Sequence, residues 1–308
     1  MAEVANFADL LLEAIEQKRS HVIVGLDPEY ELLPPEVRAR DSASSQVQAD
    51  GKWADLIHRV SCYRAFLTDV LDLVKRDAVA VKVQIAFFEA LRAPGYALYE
   101  ELVEAARALG LLVIADVKRG DIGSTAEAYA RAHLDEVATH AVTVNPYFGS
   151  DGLEPFLRRA REGGKGVFVL VKTSNPSSAE LQDLELAQGG MVHQRVADLV
   201  KAWGELARGS RGYSAVGAVV GGTHPREAAS LRQRMPGVPF LVPGYGAQGA
   251  SAGVLAGVFD ENGTGAVVNS ARAILYAYRS RPGMSWKDAT LTELREMRQA
   301  LWRAAGRG

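Results

Sequence analysis

The sequence predicts an α/β fold, a (β/α)8 barrel, and three observations support this prediction. About eight short, valine-rich apolar runs alternate with amphipathic segments along the chain. The runs are apolar at successive positions, which is typical of strands buried on both faces of a parallel sheet. The alternation continues without a linker, which favours one closed barrel domain over residues 1–308. An open doubly wound sheet is the alternative, but no GxGxxG pattern follows the first predicted strand.

The predicted elements follow in chain order. An amphipathic pattern over residues 5–18 predicts an extra helix before the barrel. Strands are predicted at 21–27, 78–88 (running into a loop), 111–118, 141–147, 166–173, 215–222, 239–245 and 265–271. Helices are predicted at 53–75, 96–109, 124–137, 151–161, 192–208, 225–234, from about 250, and at 288–303.

Three local signals refine this pattern. Ser124 is the predicted N-cap of the helix at 124–137, because a serine hydroxyl can accept a hydrogen bond from a backbone N–H of the first turn. The polar stretches 29–51 and 174–190 are predicted as irregular surface loops. The first of them contains Pro34, Pro35 and a cluster of serines.

Composition narrows the class of protein. The 308 residues carry a formal net charge of −2, with 48% hydrophobic and 23% charged residues. Such values are typical of soluble globular proteins and argue against a dedicated nucleic-acid binder. Cys62 is the single cysteine, so no intramolecular disulfide can form. No apolar run is long enough to cross a membrane, and the acidic start does not resemble a signal peptide, so we expect a cytoplasmic protein without a membrane partner.

Charged residues occur where the predicted strands end. In IADVKRGDIGST, residues 114–125, Asp116 and Lys118 are two positions apart and therefore project from one face of a strand. Asp121 follows just beyond Gly120. A barrel places its active site at the carboxyl ends of its strands, and buried charges survive only when paired or used. Asp27 at the end of strand one and Lys82 late in strand two complete a candidate catalytic set, for which core ion pairs are the structural alternative.

A second candidate feature is a phosphate grip after strands seven and eight. The loop PGYGAQGAS contains Gln248 between glycines, and glycine-rich backbone can approach an anion closely at a helix N-terminus. Arg272 follows strand eight and could bind phosphate with two hydrogen bonds. The six histidines show no paired ligand spacing, so no metal site is predicted.

The motifs resemble one family over nearly the whole chain. DVKRGDIGST is similar to the signature of orotidine 5′-phosphate decarboxylases, Asp-x-Lys-x-x-Asp followed by Ile, Gly and Thr. The set GLDP, VKVQIAFFE, VNPYFG, VKTSNP, PGYGAQGA and NSARA occurs in the order of that family. The chain length and the VKTSNP form resemble its larger bacterial branch.

This resemblance implies decarboxylation of orotidine 5′-monophosphate (OMP) to uridine 5′-monophosphate (UMP) in de novo pyrimidine biosynthesis, without metal or cofactor. It implies that Lys118 protonates C6 and that a homodimer shares its two active sites. The implied catalytic residues are Lys118, Asp116, Asp121 and Lys82, and the implied substrate-binding residues are Asp27, Thr125, Ser174, Gln248 and Arg272. Of these, Asp121 and Thr125 would reach the partner's site, Ser174 would contact the pyrimidine, and Gln248 and Arg272 would bind phosphate.

Three other functions remain open from the sequence. A sugar-phosphate decarboxylase or synthase of the same superfamily would use magnesium with an acidic ligand at the end of strand two, where Lys82 stands. A Schiff-base aldolase could use Lys172 or Lys82 as its nucleophile. A catalytically silent barrel could bind a nucleotide only. His224, which follows strand six, is predicted to be a loop residue, with a position lining the site as the alternative.

Overall fold

A computed structural model describes residues 4–39, 51–246 and 252–308. Within these ranges, eight parallel strands close into a barrel in sequence order. The strands are β1 (Val22–Leu26), β2 (Ala80–Gln84), β3 (Leu112–Arg119), β4 (Ala141–Val144), β5 (Gly166–Lys172), β6 (Val216–Val220), β7 (Phe240–Val242) and β8 (Ala266–Ser270). Pairing between β1 and β8 closes the sheet, which confirms the predicted (β/α)8 barrel and excludes the open sheet.

Helices surround this barrel. They are α1 (Phe7–Lys18), α2 (Pro35–Ala39), α3 (Gly51–Val74), α4 (Ala86–Glu89), α5 (Arg92–Ala108), α6 (Gly123–Ala130), α7 (Gly149–Glu162), α8 (Ala179–Gln182), α9 (Val192–Gly204), α10 (Pro225–Arg234), α11 (Arg272–Leu275) and α12 (Trp286–Ala304). No helix in the described part of the chain is both long and apolar enough to cross a membrane.

The strands are buried on both faces, which explains their continuous apolar sequences. Every residue of β1, β4, β6, β7 and β8 is buried. The inward side chains fill the barrel and the outward ones pack against the helices, so neither face tolerates exposed polar groups. Polar residues therefore gather at one edge, where the strands end and the loops begin.

The first helix contacts the amino ends of the strands, opposite that edge. The side chain of Asn6 caps α1 by accepting a 2.8 Å hydrogen bond from the backbone N–H of Ala8. Phe7 then packs edge-on against Phe168 of β5, with ring centroids 5.8 Å apart. A Cβ atom at Gly166 would lie 2.4 Å from the Phe7 ring, so the strand needs glycine there. The extra helix thus covers the end of the barrel that is distant from the candidate site.

Several predicted boundaries were wrong. Ser124 is not an N-cap, because α6 already begins at Gly123 after Ile122, and Ser124 lies inside its first turn. A π-helical turn, Arg131–Glu136, continues α6. The stretch 29–51 is not wholly irregular, since it includes a 3₁₀ turn and α2, while residues 40–50 lie outside the described ranges. The stretch 174–190 likewise contains α8.

The helix expected from about residue 250 differs as well. Residues 247–251 lie outside the described part, and residues 252–258 form turns that end in a 3₁₀ turn, Ala256–Val258. A Cβ atom at Gly257 would lie 2.9 Å from Cβ of Ala229, so this segment approaches α10 closely. Two glycines within six residues also disfavour a regular helix there.

Candidate active site

A cavity of about 430 Å³ opens at the carboxyl ends of the strands. One wall is polar and comes mainly from β1 to β4 and β8, with Asp27, Lys82, Gln84, Asp116, Lys118, Thr143 and Asn269. The facing wall comes from β5 to β7 and is apolar, with Leu170, Val219, Leu241 and Pro243. Such an arrangement can hold a flat, partly apolar ring against one wall while presenting charges to the other.

Asp116 is the centre of the polar wall and accepts four side-chain hydrogen bonds. Its Oδ1 accepts from Lys118 Nζ at 2.6 Å and from Thr143 Oγ1 at 2.9 Å. Its Oδ2 accepts from Lys82 Nζ at 2.7 Å and from Gln84 Nε2 at 3.0 Å. These donors belong to β2, β3 and β4, so the carboxylate is held from three strands and both of its oxygens have fixed directions.

The charges in this wall alternate in sign. Lys82 Nζ lies 2.7 Å from Asp116 and 3.7 Å from Asp27 Oδ1, and its side chain is only 5% exposed. Burial alone would lower the pKa of Lys82, but the two carboxylates outweigh burial and raise it to about 12. Burial would likewise raise the pKa of Asp116, but Lys82 and Lys118 hold it well below its usual range. Both groups are therefore charged at neutral pH.

Lys118 is the accessible cation of the set. Its side chain is 46% exposed, against 5% for Lys82, so its ammonium group can reach a molecule in the cavity. Its backbone φ is 44°, a left-handed value that is rare for a residue with a side chain. The backbone N–H of Lys118 donates to Thr143 Oγ1 at 3.0 Å, which holds this conformation. A strained residue fixed in this way is typical of functional sites.

Asp27 is positioned by the turn that follows β1. The hydroxyl of Tyr276 accepts a 2.7 Å hydrogen bond from the Glu29 backbone N–H and donates to the Asp27 carbonyl at 3.5 Å. The Asp27 Oδ1 atom is buried and has no hydrogen-bond partner among the described residues. Near it, Gly25 leaves room for β8, since a Cβ atom there would lie 2.6 Å from Cβ of Ala271. The Asp27 side chain as a whole is 21% exposed and lines the cavity, so its carboxylate can accept a hydrogen bond from a ligand hydroxyl.

The predicted phosphate end is only partly described. Arg272 lies at the start of α11, lines the cavity and makes no hydrogen bond or ion pair with any described residue. Gly244 lines the same cavity, and both Gly244 and Gly246 have positive φ values, 98° and 73°, that favour glycine. Gln248 lies outside the described residues. A guanidinium group with no partner among the described residues can donate hydrogen bonds directly to an anionic ligand.

Two predicted residues do not line this cavity. Asp121 Oδ1 accepts a 2.8 Å hydrogen bond from the backbone N–H of Ile122. Thr125 is exposed on α6. Around them lie Ile122, Tyr147 and Phe148, which are 57%, 78% and 47% exposed. The rings of Tyr147 and Phe148 pack edge-to-face at 6.2 Å. The turn after β3 therefore faces outward beside an exposed apolar group.

Four residues that line the cavity were not predicted from the sequence. Gln84 and Thr143 bond to Asp116, and Asn175 and Asn269 line the cavity. Gln84 is two residues after Lys82, so the two side chains point to the same face of β2, and Thr143 is the one polar residue of β4. The alternation of side chains along each strand could therefore have identified both residues. Asn269 is 7% exposed, and its buried Oδ1 has no described partner.

The described residues give little support to a metal site or to Lys172 as a Schiff-base nucleophile. No group of three His, Cys, Asp or Glu side chains among them could share a metal ion. Lys172, a candidate nucleophile for an aldolase, does not line the cavity and is ion-paired to Asp183. His224 is the residue before α10 and does not line the cavity either, in agreement with its prediction as a loop residue.

Fold and site together define a (β/α)8-barrel enzyme whose reactive charges stand at the carboxyl ends of its strands. The chain belongs to the orotidine 5′-phosphate decarboxylase / HUMPS family, a family of carbon–carbon lyases, whose model matches residues 20–282. It is 41% identical to the orotidine 5′-phosphate decarboxylase of Rhodopirellula baltica over 309 residues, covering 96% of this chain and 99% of that protein.

Two further comparisons agree. The orotidine 5′-phosphate decarboxylase of Deinococcus radiodurans is 41% identical over 298 residues, covering 96% of this chain and 98% of that one. The solved structure of the OMP decarboxylase of Leishmania donovani superposes with a TM-score of 0.75 at 29% identity, covering 98% of this chain and 99% of that chain. The resemblance stated from the motifs is confirmed.

Proposed function

We propose that this chain decarboxylates OMP to UMP in de novo pyrimidine biosynthesis, without a metal or an organic cofactor. The observation that carries the proposal is the row of alternating charges Asp27, Lys82, Asp116 and Lys118 along one wall of the cavity. Relatives with 41% identity over nearly their full length are named for this activity. The proposal covers residues 1–308 as one catalytic domain.

Lys118 supplies the central chemical step. Loss of CO₂ from C6 of the pyrimidine leaves a vinyl carbanion with no attached group to delocalise it. An ammonium group held where this charge develops stabilises it and then donates the proton that replaces CO₂. Lys118 suits this role because its ammonium is accessible from the cavity, whereas that of Lys82 is buried between two carboxylates.

Asp116 holds the proton donor, the Lys118 ammonium group, in place. Its four hydrogen bonds fix the carboxylate, and the carboxylate in turn fixes the Lys118 ammonium at 2.6 Å. Because the arrangement exists before substrate binds, little reorganisation is needed during the reaction. A substrate carboxylate bound beside Asp116 would also be destabilised relative to the neutral CO₂ that leaves.

The remaining residues bind the nucleotide. Asp27 and Lys82 hold ribose hydroxyls, and the position of both side chains in the cavity lining, 3.7 Å apart, supports this assignment. Ser174 contacts the pyrimidine from the loop after β5. Arg272 and Gln248 bind the phosphate, whose contacts are remote from C6 and can still lower the barrier by positioning the reacting ring.

The homodimer is part of the proposal. Asp121 and Thr125 do not line the cavity of their own chain, so we assign their catalytic role to the site of a second chain. The exposed group Ile122, Tyr147 and Phe148 beside them supports an interface, since large apolar side chains clustered on a surface mark contact sites. A two-fold contact would exchange the two turns reciprocally and complete both sites.

The proposal also includes independence of magnesium and a cytoplasmic location, each on its own ground. The superfamily alternative requires an acidic ligand at the end of strand two, but Lys82 occupies β2 and fills the adjacent space with positive charge. We therefore propose metal independence. The low cysteine content, with Cys62 buried in α3, supports a cytoplasmic location.

Product analysis tests the proposed function directly. Purified protein is incubated with OMP, and UMP and CO₂ are quantified by chromatography and isotope release. We expect equimolar products and no turnover of a β-keto sugar-acid phosphate, with or without magnesium. Turnover of the sugar phosphate with no UMP formed would favour the superfamily alternative.

A further inference from the structure

Lys172 is a buried charge that the proposed chemistry does not use. It is the last residue of β5, its side chain is 1% exposed, and it does not line the cavity. Its Nζ donates a 2.6 Å hydrogen bond to Asp183 Oδ1. Removing a lysine from water is costly unless a charged partner compensates it, so a buried pair at this position needs a structural or functional reason.

The partner of Lys172 joins three elements. Asp183 directly follows α8, and its Oδ1 lies 3.1 Å from Nδ1 of His193 at the start of α9. The same His193 nitrogen lies 2.8 Å from the carbonyl oxygen of Gln182. The hydrogen bond from Lys172 lowers the pKa of Asp183, so its carboxylate is charged at neutral pH. One carboxylate thus ties α8 to both β5 and α9.

The last residue of α8 reaches back to the cavity. Gln182 Oε1 accepts a 2.9 Å hydrogen bond from the Thr173 backbone N–H, and its Nε2 donates to Thr173 Oγ1 at 2.8 Å. Thr173 Oγ1 donates in turn to Asn175 Oδ1 at 2.6 Å. Both neighbours of Ser174 are therefore held by this network.

Ser174 has a close contact on its other side. The Gly221 backbone N–H donates to the Lys172 carbonyl oxygen at 2.7 Å. A Cβ atom at Gly221 would lie 3.0 Å from both N and Cα of Ser174. Ser174 is thus confined between the end of β6 and the segment fixed by Gln182, and this confinement places it on the cavity wall.

We propose that Lys172 is a positioning residue whose ion pair with Asp183 holds residues 173–191 so that Ser174 lies at the cavity wall. The inference rests on the proposed function to the extent that Ser174 contacts the pyrimidine. It assigns a reason for a lysine at this buried position: an apolar residue could fill the space but could not hold the Asp183 carboxylate.

The test uses the full chain with Lys172→Met, Asp183→Asn and the double variant. Lys165→Met is the matched control, because Lys165 precedes the other end of β5 and donates to the Thr139 carbonyl oxygen at 2.9 Å. Three quantities are measured: amide hydrogen exchange over 173–191, kcat/KM for OMP, and the dissociation constant of ribose 5-phosphate, which lacks the base.

We expect faster exchange over 173–191 in the unliganded variants and a fall in kcat/KM of about 10- to 100-fold, since displacements near 1 Å can have such effects. Ribose 5-phosphate affinity should be unchanged. The double variant should lose no more than the larger single loss, because both changes break one contact. Lys165→Met should leave all three quantities unchanged. Asp183 is 34% exposed, so Asp183→Asn keeps the test available if Lys172→Met does not fold.

Three results would overturn the proposal. The first is unchanged exchange and unchanged kcat/KM in both single variants. The second is a parallel loss of ribose 5-phosphate affinity, and the third is additive losses in the double variant; either of these would make Lys172 a general structural residue. If the unmodified protein fails to convert OMP, the proposed function is wrong, and hydrogen exchange over 173–191 still decides whether Lys172 holds the segment.

Discussion

Lys118 Nζ donates a 2.6 Å hydrogen bond to Asp116 Oδ1, although the two residues lie on the same strand with only Val117 between them. The left-handed backbone of Lys118, φ 44°, accompanies this short approach. Since Asp116 is itself fixed by three further donors, the position of the ammonium group is set by the fold before substrate enters.

Replacement of the proposed acid should abolish most of the activity. We expect Lys118→Ala to lower kcat/KM for OMP by at least about 10²- to 10⁴-fold, the usual contribution of a positioned proton donor. Ribose 5-phosphate affinity serves as the control and should change little. A loss below about tenfold, measured by initial rates at matched protein concentration, would remove Lys118 from the central step.

Acid stability should depend on Asp116. Burial opposes its ionisation, but Lys82 and Lys118 keep its folded-state pKa below the value of about 3.9 for an unfolded aspartate. Because the folded-state pKa is the lower one, ionised Asp116 stabilises the fold above about pH 4, and this contribution is lost as the pH falls towards the folded-state pKa.

We therefore expect the Tm of the unmodified protein to fall more steeply between about pH 5 and about pH 2 than that of Asp116→Asn. Differential scanning calorimetry over this range measures both slopes. Glu104→Gln, at an exposed position of α5, is the control and should keep the steep slope. Equal slopes for the unmodified protein and Asp116→Asn would contradict the assigned role of the two lysines.

Arg272 should act only through the phosphate. For Arg272→Ala we expect kcat/KM for OMP to fall about 10- to 100-fold, corresponding to roughly 1.5–3 kcal/mol for hydrogen bonds to a charged group. The rate with the bare nucleoside orotidine should change little. Arg279→Ala removes a nearby exposed arginine that does not line the cavity, and should affect neither substrate. Equal losses on OMP and orotidine would make Arg272 structural.

If each active site is built from two chains, mixed dimers of two inactive variants should regain activity. Lys118→Ala and Asp121→Ala homodimers should each be nearly inactive. When the two variants are denatured and refolded together, about half of the dimers are mixed, and each mixed dimer has one site with both lesions and one with neither. About a quarter of all sites should therefore be intact, as counted by active-site titration.

Mass spectrometry of the refolded sample provides the control for subunit exchange. If mixed dimers are present and the activity remains the sum of the separate variants, Asp121 acts within its own chain. The interface assigned to Ile122, Tyr147 and Phe148 would then lose its main support. Absence of any dimer at micromolar concentration would have the same consequence.

Strand positions were the most predictable feature of the chain. Burial on both faces produces continuous apolar runs, and the strand ends carry the charges, so Asp27, Lys82, Asp116 and Lys118 could be assigned to one cavity before its geometry was known. Their hydrogen bonds could not be assigned, because the left-handed φ of Lys118 and the irregular pairing of β3 with β4 have no simple sequence pattern.

Loop structure was less predictable for a physical reason. The short helix α8 depends on the tertiary contacts of Gln182 and Asp183 with β5 and α9, which local propensity does not encode. The sequence leaves Lys172 open as an aldolase nucleophile, whereas the fold pairs it with Asp183, eleven positions later, which no sequence pattern indicates.

Removal of metal ions is the most direct test of the central claim, that the side chains of this site decarboxylate OMP without a metal ion. The protein is treated with excess EDTA and dialysed, its metal content is verified by mass spectrometry, and kcat/KM for OMP is followed by the absorbance change of the pyrimidine. We expect the same kcat/KM before and after treatment, and no increase on adding magnesium. Activity that disappears with EDTA and returns with magnesium would contradict the account.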